Sequence, residues 1–179
     1  IEIMLKFFKI SFVICAAVLL VGCATPASQT AMSLDHTDIV TKPSEKLKGQ
    51  VYVRSVKGGK ETNPAWISQV DTQSFKGALE RSLNSVGYGS DSTTAKYTVD
   101  AEIQDIKQPA FGLTFNVEST VFYTVETSAA SKKLPITAVG SASTSDTLLG
   151  VERMKIANER SVRENIRSFI DRLTNQYGK

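Results

Sequence analysis

From Leu113 to Glu126 the chain alternates residue by residue. Leu113, Phe115, Val117, Ser119, Val121, Tyr123 and Val125 take one set of positions, and Thr114, Asn116, Glu118, Thr120, Phe122, Thr124 and Glu126 take the other. Successive side chains on a strand point to opposite faces, so the pattern predicts a long strand with one dry and one wet side. The same alternation precedes it, with Tyr97, Val99, Ala101 and Ile103 set against Thr98, Asp100, Glu102 and Gln104. It follows again at Leu134, Ile136, Ala138, Gly140 and Ala142. Turn-forming stretches at Gln108–Gly112 and Ser128–Lys133 separate the three segments, which predicts an antiparallel meander with one face open to water.

A sheet with one apolar face must be covered, and two helical stripes are present to do it. Phe75, Ala78, Leu79, Leu83 and Val86 recur at helical spacing behind Asp71, a good N-cap, and Gly87 and Gly89 supply a stop. This predicts a helix over Thr72–Val86, with an earlier start at Asn63, and Pro64 as its first helical residue, as the alternative. Met154, Ala157, Val162, Ile166, Phe169, Ile170 and Leu173 mark a second helix over Val151–Gln176. Val51–Val56 is rich in valine and precedes Gly58-Gly59, so it reads as a further strand. The order is then strand, helix, strand, strand, strand, helix. It predicts an α+β two-layer sandwich: a four-stranded mixed sheet, a right-handed first crossover, and both helices on one face.

The N-terminus is different in kind. Met4 reads as the initiator, Lys6 and Lys9 are basic, and Ile10 to Val21 is apolar except for Ser11. A spanning helix needs about 20 apolar residues, and this run is too short. It ends in small residues, as a signal peptide does. Leu20-Val21-Gly22-Cys23 resembles the lipobox of bacterial lipoproteins. The resemblance implies diacylation of the Cys23 thiol and cleavage before it, with Leu20, Val21 and Gly22 forming the cleavage signal. Ala24, rather than Asp, favours the outer membrane over the inner, on the periplasmic face. The expected organisation is a signal peptide over 1–22, a flexible tether over 23–48 rich in Ser, Thr, Ala and Lys, in which Leu34, Ile39 and Val40 are candidates to dock, and a single domain over 49–179.

Composition excludes several function classes. The chain has 21 basic and 18 acidic residues, and loss of the leader brings the mature charge close to neutral. That argues against a nucleic-acid binder, which needs a strong basic patch. Of two cysteines, Cys15 falls in the leader and Cys23 in the lipobox, so the folded part has no thiol for a disulfide or a metal. The one histidine, His36, precedes the domain.

The lipobox, the tether and the element order together resemble small periplasmic lipoproteins of proteobacteria, whose plan is shared by the YajG-like family and the lipopolysaccharide-assembly LptE family. Gly58 to Trp66, Phe75 to Leu83 and Ala157 to Ile166 carry the same likeness. The resemblance implies an envelope protein that acts by binding, and carries over no functional residue.

The motifs that would carry chemistry point the same way. Gly-x-Ser-x-Gly is absent, and no His base stands within 49–179. Asp100, Glu102 and Gln104 share a strand face, with Glu118 and Glu126 beside them, but read as a solvated surface rather than a cation site. Gly59-Lys60-Glu61-Thr62 lacks the spacing and the hydroxyl of a phosphate loop. No cofactor is expected. Trp66 is a candidate partner anchor or a lid over the core. Arg153, Arg160 and Arg167 fall on nearly one line of the last helix, as a candidate anionic-lipid contact or as an ordinary ion-paired face. The expected function is a lipid-anchored, non-enzymatic binding or assembly partner in the periplasm, held to a membrane by its diacylglyceryl anchor and to a periplasmic or outer-membrane protein by its domain. The alternatives are a carrier of a lipid or cell-wall ligand between sheet and helices, and, less favoured, an enzyme.

Overall fold

The computed structural model describes residues 24–39, 41–63 and 67–179. Its elements run α1 (Gln29–Met32), β1 (Val51–Lys57), α2 (Thr72–Ser85), β2 (Tyr97–Lys107), β3 (Thr114–Glu126), β4 (Ser131–Ser143) and α3 (Gly150–Tyr177). The four strands form one sheet in the order β1-β2-β3-β4, with β1 parallel to β2 and the other pairs antiparallel. This is the expected α+β arrangement. The dry sheet face and the facing sides of α2 and α3 share one core, built around Val99, Val121, Tyr123, Phe75, Leu79, Ile166 and Phe169. Tyr123 and Phe169 stack with centroids 3.9 Å apart.

Local chemistry explains the element ends. The Asp71 carboxylate accepts the Ser74 N–H at 2.7 Å and starts α2. Gly87, at φ +76°, ends it in a left-handed turn open to glycine at no steric cost. Two bulges interrupt the strands. Arg54 has no opposite number in β2, and Gln104 none in β3. Each bulge places two successive side chains on the wet side, after which Val56 and Ile106 return to the apolar side. The alternation read from sequence stops at Gln104 for this reason, although β2 continues to Lys107.

The expected flexible tether over 23–48 is corrected by the structure. Residues 24–39 and 41–48 pack as a strap over α2 and α3, with Met32, Leu34 and Leu47 fully buried in the core. The strap is held by side chains reaching its backbone. Glu159 accepts the Ser28 N–H at 2.7 Å, Ser82 Oγ the Leu34 N–H at 2.9 Å, and Tyr88 Oη the Ser44 N–H at 2.8 Å. These bonds satisfy an extended segment that has no partner strand.

Where α3 crosses the sheet, polar side chains sit in the seam between β3 and β4. Asn165 Nδ2 donates to the carbonyls of Ser119 and Ile136, both at 3.0 Å, and its Oδ1 accepts from Tyr123 Oη at 2.9 Å. Ser161 Oγ donates to Ser119 Oγ at 2.8 Å. Burial raises the Tyr123 phenol well above its usual range, so it stays a neutral donor. A fully satisfied buried network of this kind fixes the register of a helix on a sheet. It was missed from the sequence, although Asn158, Ser161 and Asn165 fall within the apolar stripe of α3, where polar residues need partners.

Glu159 is a second buried polar group, and desolvation raises its pKa against the Ser28 N–H bond. A carboxyl raised in the fold contributes most below its unfolded value and loses that contribution as pH rises through the folded one. Glu159→Gln is therefore expected to raise the urea midpoint at pH 7, with the gain vanishing below about pH 4. An equal effect at both pH values would refute the assignment.

Candidate functional site

Among the described residues the wet face of the sheet is left uncovered by the helices, which pack on the other face. The side chains of the wet face follow from the alternation: Arg54, Ser55 and Lys57 on β1, Asp100 and Glu102 on β2, Glu118, Thr120, Phe122, Thr124 and Glu126 on β3, and Lys133, Pro135, Thr137, Val139 and Ser141 on β4. Cross-strand pairs tile it. The bulge at Arg54 brings its guanidinium against Asp100, with Nε to Oδ1 at 3.1 Å, and Nη1 lies 2.8 Å from Glu126. Ser55 Oγ donates to Asp100 at 2.6 Å. Burial works against the Asp100 carboxylate, but bonds from Arg54 and Ser55 outweigh it and hold the pKa below the usual value. Lys107 pairs with Glu118 at 2.7 Å. Lys133 lies 3.8 Å from Glu102 and 4.1 Å from the Phe122 ring centre. A shallow depression of about 390 Å³ lies over Arg54, Asp100, Glu102 and Phe122. Every carboxylate singled out from the sequence on this face thus has a basic partner, and no cluster of three metal-binding side chains occurs among the described residues. Exposed ion pairs contribute about 0–1 kcal/mol each, so an incoming partner can rearrange them at low cost.

One rim of this face is β4, the other β1. Pro135, paired with Phe122, has no N–H to give to β3. Hydrogen-bonded and non-hydrogen-bonded pairs alternate along an antiparallel ladder. Residues 135, 137, 139 and 141 therefore turn their backbone groups outward. Two of these carbonyls are taken by α3: Arg172 donates to Pro135 O at 3.4 Å, and Arg160 to Ser141 O at 2.7 Å. Between them Thr137 and Val139 face outward at the sheet edge, with Val139 54% exposed. Lys132, Lys133 and Pro135 at the start of the strand are the residues proteins use to blunt an edge. The stretch after Pro135 carries no such residue.

The arginine line of α3 is not a free cationic stripe. Arg153 is buried, donating to the carbonyls of Thr147 at 3.2 Å and Leu148 at 3.1 Å, with its guanidinium 5.3 Å from the Phe115 ring centre. Arg160 also pairs with Asp146 at 2.7 Å. Arg167 pairs with Glu164 and donates to Asp38 O at 2.9 Å. Arg153 is thus used inside the fold, while Arg160 and Arg167 make the ion-paired face that is the other reading of this line. Leu20, Val21, Gly22, Cys23 and Trp66 lie outside the described residues. Among the described residues no helix is long and apolar enough to cross a membrane.

No family model and no curated protein matches the chain. Solved structures do resemble it. A hypothetical protein from Chlamydia trachomatis superposes with a TM-score of 0.51 at 15% identity, covering 73% of this chain and 97% of that one. A Xanthomonas campestris protein from a domain family of unknown function gives 0.49 at 9% identity, covering 76% and 91%. A lipoprotein candidate from Caulobacter crescentus gives 0.43 at 15% identity, covering 57% and 84%. At such identities the likeness is one of fold alone.

Proposed function

We propose that this chain is a lipid-anchored envelope protein that works by binding, held to the periplasmic face of the outer membrane through Cys23 and presenting its wet sheet face and β4 edge to a protein partner. The observation that carries the reading is Leu20-Val21-Gly22-Cys23 at the end of a short basic-then-apolar leader. The sheet supports it with a broad polar face and an edge stretch able to take another strand by backbone pairing. The carrier alternative receives less support, because Tyr123, Phe169, Phe75 and Leu79 fill the space between sheet and helices and are fully buried.

Site-specific photocrosslinking in intact cells tests the binding face. A probe at Thr120 or Thr137 is expected to capture one discrete protein, and a probe at Lys46 on the strap none. Val139→Pro removes one outward N–H, as Pro135 does, and leaves the ladder to β3 intact. It is expected to abolish the Thr137 crosslink while changing the urea midpoint little. Equal crosslinking from Thr137 and Lys46, or a Thr137 crosslink untouched by Val139→Pro, would remove the edge from the account.

A further inference from the structure

Four large apolar side chains stand out of the surface at one end of the sheet. Phe111 is 88% exposed and Leu113 75% in the β2–β3 loop; Leu148 is 84% and Leu149 45% exposed in the loop before α3. Scattered exposed apolar residues are ordinary, but contiguous groups mark contact surfaces. These four belong together. Thr114 pairs with Ser143 at the base of the two loops. Above it, the Arg153 guanidinium donates to Leu148 O at 3.1 Å and Gly112 O at 3.4 Å, so one buried cation ties both tips. Leu149 is also the N-cap of α3 and makes no side-chain cap bond, at a position where Ser, Asp or Asn is strongly preferred. The sequence keeps an apolar residue there at the expense of helix stability.

The N-terminal strap begins at the same end. Ala27 N–H donates to Gln69 O at 3.0 Å, and Gln69 Nε2 to Gln108 Oε1 at 3.2 Å; Gln108 is the residue after β2 and leads directly into Phe111. From there the strap runs to the opposite end, where Ser44 bonds to Gly178. The described chain therefore enters the domain, near Ala27, at the end that carries Phe111, Leu113, Leu148 and Leu149.

We propose that this apolar tip seats in the lipid bilayer to which Cys23 is anchored. The proposal rests on the anchor reading for its choice of lipid over protein. Ala24 follows Cys23 directly, so a lipid there holds this end of the domain within a few residues' reach of the headgroups. Apolar side chains at that level enter the acyl boundary; the two acyl chains already supply firm attachment, and the tip adds a fixed orientation of the domain on the bilayer. With the tip down, the sheet stands on its end. The wet face and the β4 edge then look sideways into the periplasm.

The test uses the full mature lipoprotein in phosphatidylethanolamine–phosphatidylglycerol vesicles containing brominated lipid. In a Trp66→Phe background, single tryptophans are placed by Phe111→Trp, Leu148→Trp and, at the far hairpin, Ser128→Trp. The first two are expected to show blue-shifted emission and at least twofold quenching, the third neither. If the acylated protein floats with the vesicles but all three probes are equally unquenched, the tip proposal is overturned and the anchor reading stands. If mass analysis finds no lipid on Cys23, the anchor reading fails separately. In that case the same protein added to preformed vesicles decides the tip: quenching at 111 and 148 supports it, and no quenching overturns it. A Phe111 probe that crosslinks to a protein and stays unquenched also overturns it.

Discussion

Val121→Asp should destabilise the domain by about 4 kcal/mol or more, most of what a domain of this size has. Val121 is fully buried at the centre of β3, against the shared core of sheet and helices. A carboxylate there has no basic partner among the core residues, and an uncompensated buried charge costs about 3–5 kcal/mol. Thr137→Asp, on the wet face of the neighbouring strand, should fall within about 0.5 kcal/mol of the parent. Urea unfolding of the two variants checks the assignment of faces. Similar losses would mean that the sheet is covered on both sides.

Gly140→Ala should also be costly, for a reason of space and not of backbone angle. Gly140 lies on β4 under α3. A Cβ built there would meet the Ala157 carbonyl oxygen at 2.5 Å and the Arg160 carbonyl carbon at 2.6 Å, and would press on the Ser161 amide. All of these are helix backbone, which cannot swing aside as a side chain can. The helix must lift, and in lifting it loosens Ser161 from Ser119 and from Ala138 O. Overpacking of this kind costs about 1–3 kcal/mol, and the rigid backbone places this case at about 3 or above. The expected result is a midpoint loss for Ala and a larger one for Val. A neutral Gly140→Ala would show that α3 does not sit this close to the sheet.

Such close contacts show where reading the sequence succeeds and where it stops. The alternation from Leu113 to Glu126 gave β3 to within a residue, because a half-buried strand writes its burial directly into its pattern. Helix α2 was legible for a related reason, with Asp71 at one end and Gly87 at the other. The strap was not. Met32, Leu34 and Leu47 are too irregularly spaced to show a period, and what holds the segment is Glu159, Ser82 and Tyr88, far away in sequence. The bulge at Gln104 hid the end of β2 by shifting its phase. On the candidate face, the acidic residues were visible but their partners were not. That Arg54 would reach both Asp100 and Glu126 depends on a bulge and on strand order, which no local pattern encodes. Gly140 looked like one more small residue in a strand, and only the helix above it gives the reason.

The central claim, attachment through Cys23, is tested most directly by the intact mass of the protein extracted from membranes. The account predicts a chain that begins at Cys23 and carries a diacylglyceryl group, with a Cys23→Ser variant that lacks the lipid and leaves the membrane fraction. A membrane-associated protein without lipid on Cys23, or a Cys23→Ser variant that fractionates unchanged, would contradict it.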